Sequence, residues 1–109
     1  PVVREFVAAG RNVPVETGAK TGFRNPDNLA RDAAGNLWIA EDNSPSDIWV
    51  ATPDTTGDGY ADRVALFASL STPGAEASGI YFGTDPHTLF VNVQHTDDAN
   101  DKTLAVSRE

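Results

Sequence analysis

The sequence predicts an all-β chain: about two four-stranded antiparallel blades of a β-propeller, cut from a larger ring. Three observations lead there. No window carries an apolar period near 3.6 residues, so no helix of any length is expected. Short apolar runs rich in β-branched and aromatic residues recur between turn signals spaced 8–12 residues apart. There is also an internal echo: Gly35-Asn36-Leu37-Trp38-Ile39 is repeated as His87-Thr88-Leu89-Phe90-Val91. Aligning Leu37 with Leu89 gives a period near 50 residues, the size of a propeller blade. The expected blades run over about 1–70 and 71–109. Two blades cannot close a ring, and open edges invite pairing with other chains. The partners expected are therefore the remainder of the propeller or other copies of the chain. A small self-contained β-sandwich is the competing architecture.

The elements follow in order. Arg4-Glu5-Phe6-Val7-Ala8-Ala9 reads as a first strand ended by Gly10, and 12–21, with Pro14 and Gly18, as a loop. Asn28–Asp32 and Leu37–Ala40 form a hairpin across a turn at 33–36, where Gly35 and Asn36 tolerate positive φ. Asp47–Ala51 is the next strand and 53–59 a polar loop. Arg63–Ala68, Gly79–Phe82 and Thr88–Val93 are strands, the last the most strand-like run in the chain. Thr96–Lys102 is polar, and Leu104–Val106 is a final short strand.

Composition limits the function. The 109 residues carry 16 acids against 8 bases, a net charge of −8. An acidic chain disfavours nucleic acid and anionic membrane, which need a basic surface. No apolar run approaches the roughly 18 residues of a membrane span. No signal peptide is visible. Cysteine is absent, which removes disulfides and thiolate metal sites from this chain. The chain opens at Pro1 and has no methionine, as expected of a processed or excised piece.

Four constellations carry possible chemistry. The hairpin places Asp27 and Asn28 at the same end as Glu41 and Asp42, and four oxygen-bearing side chains at one strand edge suit a hard cation. The plain alternative is that Asp27 and Asn28 cap a turn while Glu41 and Asp42 are solvated. Adjacent strand residues face opposite ways, so Asp42, which opens the following loop, is the better ligand. The second constellation is Asp54-Thr55-Thr56-Gly57-Asp58-Gly59-Tyr60-Ala61-Asp62. Asp at positions 1 and 5 with Gly at 6 matches the opening of a calcium loop. However, Thr56 stands at position 3, and Ala65 stands where the bidentate Glu belongs. At most this is a peripheral structural calcium loop through Asp54, Asp58 and Asp62. Third is Glu76, in a loop leading into Gly79 and a strand, where a lone Glu is ordinarily solvated. Fourth is Asn92-Val93-Gln94-His95 at a polar strand end, where His95 could ligate a metal, meet phosphate, or simply cap the strand. His87 sits in a turn and has no assigned role. No nucleophile–base pair, Gly-rich phosphate cradle or H-E-x-x-H motif is present.

The stretches PDNLA…D..GNLWIAED, GDGYADRVALFASL, AEASGIYFG and TLFVNVQH, in that order, resemble the PhoX-type alkaline phosphatases over roughly residues 22–96. That family consists of calcium- and iron-dependent β-propeller phosphatases. The resemblance implies calcium and iron as cofactors, a phosphate-ester substrate, and a periplasmic or secreted location. It places Asp27, Asn28, Asp42 and Glu76 in the metal centre. After Glu76, Ser78-Gly79-Ile80 departs from the family's usual Thr-Gly-Pro, with Ser78 keeping a hydroxyl. The family's centre also uses ligands from earlier in its chain, a cysteine among them, so this chain alone is expected to be inactive. Arg24 or Arg31 could meet phosphate. Two other readings remain: a gluconolactonase-like propeller hydrolase with one divalent metal, which PDNLA…GNLWIA fits and VNVQH does not, and a non-catalytic binding or scaffold propeller.

Overall fold

The computed structural model describes residues 1–17 and 21–107. Among the described residues there are seven strands: β1 (Pro26–Arg31), β2 (Leu37–Glu41), β3 (Asp47–Ala51), β4 (Val64–Ser69), β5 (Glu76–Phe82), β6 (Thr88–Gln94) and β7 (Lys102–Ser107). They form two antiparallel meanders, a four-stranded sheet β1-β2-β3-β4 and a three-stranded sheet β5-β6-β7. Among the described residues there is no helix. The all-β expectation holds. The second sheet has three strands where four were expected.

The expected N-terminal strand over Arg4–Ala9 does not form. Only an isolated bridge, Ala9 to Val13, is present there. The segment lies across a face of the first sheet instead of along an edge, so it has no ladder to join. Its backbone is satisfied locally. Ala61 N and Asn12 Nδ2 both donate to Phe6 O at 2.9 Å, and Ala8 N donates to Asn12 Oδ1 at 2.9 Å. The Gly18 part of the expected loop lies outside the described residues.

Period-2 alternation decides what each face of the first sheet covers. Along β2, Leu37 and Ile39 point to the N-terminal segment, joining Val13, Phe23, Trp49, Ala51 and Ala61 with Phe6 and Val7 against them. Phe23 meets the Trp49 ring edge-on, with centroids 6.1 Å apart. Trp38 and Ala40 point the other way and pack with Ile48 against Ala77, Ile80, Leu89 and Val91 of the second sheet. Trp38 meets Phe82 across that seam at 5.3 Å and Phe67 of its own sheet at 4.7 Å, both edge-to-face. Such aromatic pairs add roughly 0.5–1.5 kcal/mol beyond burial. The first sheet is thus covered on both faces. The second is covered on one.

Asp32 fixes the β1–β2 turn. Its carboxylate accepts from Ala34 N at 3.0 Å, Asn36 N at 2.9 Å, Asn36 Nδ2 at 2.8 Å and Trp38 Nε1 at 3.0 Å. Gly35, at φ 88°, supplies the left-handed residue the turn requires. Partial burial pushes the Asp32 pKa up, but the bonds from Trp38, Asn36 and Ala34 outweigh it and hold the pKa below its ordinary value.

Candidate metal centre

The acidic end of the molecule is built where the two sheets meet. Glu41 is the last residue of β2 and Asp42 follows it, so they face opposite sides of the sheet. Glu41 turns toward the N-terminal segment and is fully buried. Its Oε1 accepts from Arg24 N at 2.8 Å and Trp49 Nε1 at 2.9 Å, and its Oε2 accepts from Asn43 Nδ2 at 3.0 Å. Both oxygens are engaged by protein donors, which satisfies a group that would otherwise be expensive to bury. The same dipeptide fixes the segment before β1, because Asp42 N donates to Asn25 O at 2.9 Å.

Asp42 points toward the second sheet and meets Glu76. The sequence places Glu76 in a loop, but it is the first residue of β5, paired in register with Gln94 of β6. The strand begins early because Ala77 is buried against the first sheet and its N–H is bonded across the seam. Gln94 Nε2 donates to Glu76 Oε1, and His95 Nε2 lies 3.1 Å from the same oxygen. His95 sits at φ 58°, just past the end of β6, and is largely exposed. The Glu76 pKa is raised by its hydrogen bond with the Asp42 carboxyl, by burial, and by the Asp42 charge. Gln94 and His95 pull it the other way. Two carboxyl groups held this close resist being ionised together, and a cation between them would remove that conflict.

The other expected ligands are placed differently. Asp27 lies at a bulge in β1 between Pro26 and Asn28, is exposed, and accepts from Asn28 Nδ2. It shares a groove of about 270 Å³ with Phe6, Val7 and Leu29 on the N-terminal side of the sheet. The structure therefore brings together Asp42, Glu76, Gln94 and His95, with Asp27, Asn28 and Glu41 at the same strand end but turned to other partners. Among the described residues, no group of three or more carboxylate and imidazole side chains is arranged to hold one ion. Asn43 Oδ1, beside Asp42 in sequence, is a buried acceptor with no hydrogen-bond partner.

The 54–62 loop is organised by its own carboxylates. Asp54 accepts from Gly57 N at 2.7 Å, Gly59 N at 2.8 Å and Thr56 N at 3.1 Å. These bonds, led by that from Gly59, hold its pKa below the ordinary value although burial opposes them. Asp58 accepts from Tyr60 N at 2.9 Å, and Asp62 accepts from Thr55 N and its hydroxyl. His87 N caps Asp85 in the turn before β6.

Ser46 has a structural role that its place in the 43–46 turn does not announce. It is fully buried, its Oγ donates to Glu41 O at 2.6 Å, and Ala77 N donates to that Oγ at 3.0 Å. Leu70 N donates to its carbonyl at 2.8 Å. One hydroxyl thus ties the end of β2 to β5 and sets Asp42 against Glu76. A Ser after Pro in a turn looks solvent-facing, and only the sheet-to-sheet contact shows otherwise.

Two antiparallel meanders packed face to face, with carboxyl groups meeting at the seam, describe an all-β protein whose polar centre is made of strand ends. The family model for alkaline phosphatase PhoX matches residues 4–97, and the chain belongs to that family. No curated protein and no solved structure matches it.

Proposed function

We propose that the chain is part of a β-propeller phosphatase acting on phosphate monoesters, and that its two sheets are neighbouring blades, about 1–70 and 71–109. The observation that carries this reading is the meeting of Asp42 and Glu76 from different sheets, at strand ends, in a chain of the PhoX family. A four-strand meander packed on a second meander is the arrangement adjacent blades adopt.

In this reading Asp42 and Glu76 hold part of a calcium–iron centre, which supplies positive charge to polarise the phosphoryl oxygens and stabilise the transition state. The donor set suits it: carboxylate oxygens are what hard cations take. Electrostatics point the same way. A phosphate ester approaching a chain of net charge −8 meets repulsion unless cations sit at its acidic end. Gln94 orients Glu76 through its amide, and His95 flanks it on the open side. Two carboxylates fall far short of the 6–8 oxygens calcium accepts. The remaining ligands come from the rest of the propeller, the 109 residues alone are inactive, and the parent works in the periplasm or outside the cell.

The test is a phosphomonoesterase assay on the full-length gene product beside the 109-residue chain. Activity in the former that is abolished by chelation and by Glu76→Gln, with none in the latter, is expected. Full activity in Glu76→Gln overturns the assignment.

A further inference from the structure

The 54–62 loop contains a reactive pair. Asp58-Gly59 is the one aspartyl-glycine step in the chain. Glycine has no Cβ to shield its nitrogen, so Gly59 N can close on the Asp58 carboxyl carbon. Asp58 is exposed, and its Oδ1 accepts from Tyr60 N at 2.9 Å. That N–H lies where negative charge would build on Oδ1 during attack at Cγ.

A second carboxylate stands in the way. Gly59 N donates to Asp54 Oδ2 at 2.8 Å, while Asp54 Oδ1 accepts from Gly57 N at 2.7 Å and Thr56 N at 3.1 Å. An ionised carboxylate on the N–H opposes loss of that proton, because the amide anion would face a like charge. The bond also fixes Gly59, which sits at φ 93° with Arg4 laid against it. A Cβ at this position would meet Arg4 Cδ at 2.8 Å.

The residues just after this step fasten the N-terminal segment. The Arg11 guanidinium carbon lies 4.7 Å from the centre of the Tyr60 ring. Ala61 N donates to Phe6 O at 2.9 Å, and Asn12 Nδ2 donates to Ala61 O at 3.2 Å. These contacts hold Phe6 and Val7 against the first sheet.

We propose that Asp58-Gly59 is a site of covalent self-modification, at which isoaspartate forms through a succinimide once Asp54 gives up the Gly59 N–H. Gly59 N bonds to Asp58 Cγ and the C–OH bond of the protonated carboxyl breaks. The departing hydroxyl takes the Gly59 proton and leaves as water. A water then adds to the main-chain carbonyl carbon of Asp58, whose bond to Gly59 N breaks. The main chain now runs through Cβ and Cγ and is one methylene longer. That shifts Tyr60 and Ala61 away from Arg11 and Phe6 and loosens the N-terminal segment. Neither step involves the metal centre.

The experiment is storage of the 109-residue chain in metal-free buffer at neutral pH and physiological temperature. Isoaspartate is counted by enzymatic methylation and located by peptide mapping. The unsubstituted chain is expected to react at Asp58 at least about tenfold more slowly than a free peptide of residues 56–61, the factor a hydrogen bond to a charged group supports. Asp54→Ala removes most of that difference. Asp62→Ala loosens the other half of the loop, where Thr55 N is bound, and leaves the rate unchanged. Should Asp54→Ala lose its near-UV circular dichroism, Asp54→Asn, which keeps one acceptor and drops the charge, is expected to react at an intermediate rate. An unsubstituted chain as fast as the peptide overturns the proposal. So do Asp54 variants no faster than the unsubstituted chain, or an Asp62→Ala chain accelerated as much as Asp54→Ala.

Discussion

Two of the molecule's acidic clusters, the 54–62 loop and the seam, look alike in the sequence and behave in opposite ways. In the 54–62 loop each aspartate points back at its own backbone, and Asp54 alone receives three N–H groups. Those donors stabilise the ionised form, so its pKa falls. At the seam, Asp42 and Glu76 come from different sheets and face each other, and the Glu76 pKa rises. The first cluster is satisfied by the chain that carries it. The second is left with a charge conflict that the described residues do not resolve. Density of carboxylates therefore says little about metal binding. What their oxygens already accept says more.

Substitutions sharpen the contrast, beginning with the carboxyl that belongs to neither cluster. Glu41→Ala strips the partners from Trp49 Nε1 and Arg24 N inside the protein, and should cost about 2–5 kcal/mol in urea denaturation. Glu41→Gln retains an acceptor and should cost visibly less. If the two variants proved equally stable, the buried acceptor role of Glu41 would be wrong. Ser46→Ala leaves Ala77 N without its partner at the seam and should cost about 1–3 kcal/mol. Its effect should couple to substitution of Asp42 in a double-mutant cycle, because Ser46 positions the strand end from which Asp42 projects.

The carboxylates themselves give the sharpest break, in the sign of the effect. Glu76 has a raised folded pKa, so its ionisation works against folding. Glu76→Gln should stabilise the metal-free chain at neutral pH, and the gain should shrink as the pH falls through the raised pKa toward the unfolded value near 4.3. Asp32 and Asp54 have lowered pKa values, so their contributions are full above the unfolded value near 3.9 and fade as the pH falls through the folded one. Asp32→Asn should therefore destabilise at pH 7 and converge with the unsubstituted chain in acid. Thermal melts between pH 2.5 and 7 check both, and two shifts of the same sign would erase the distinction. The smallest effect belongs to Asp58, which accepts a single exposed bond from Tyr60 N. Asp58→Asn should move stability by no more than a few tenths of a kcal/mol.

Most of the fold could be read from the sequence, because strand periodicity and turn residues are local signals. Asp47–Ala51 was expected at its observed bounds, and the strands from β1 to β7 were each expected to within about three residues of where they lie. The N-terminal strand failed for a reason no local signal carries: Arg4–Ala9 has strand-like composition but covers a sheet face. Glu76 falls in an expected loop, Ser71–Ala77, and packing of the buried Ala77 against the first sheet draws it into β5. At the site, alternation correctly separated Glu41 from Asp42. The cross-sheet bonds of Ser46 and the pairing of Gln94 with Glu76 had no trace in the chain order, since both depend on how two distant meanders meet.

Metal analysis of the full-length gene product, unsubstituted and as Asp42→Asn, Glu76→Gln and Asp54→Asn, tests the reading of the seam most directly. Calcium or iron should be lost from the first two variants and retained in Asp54→Asn. Undiminished metal in Asp42→Asn and Glu76→Gln, with loss confined to Asp54→Asn, would place the ion in the loop and not between the sheets.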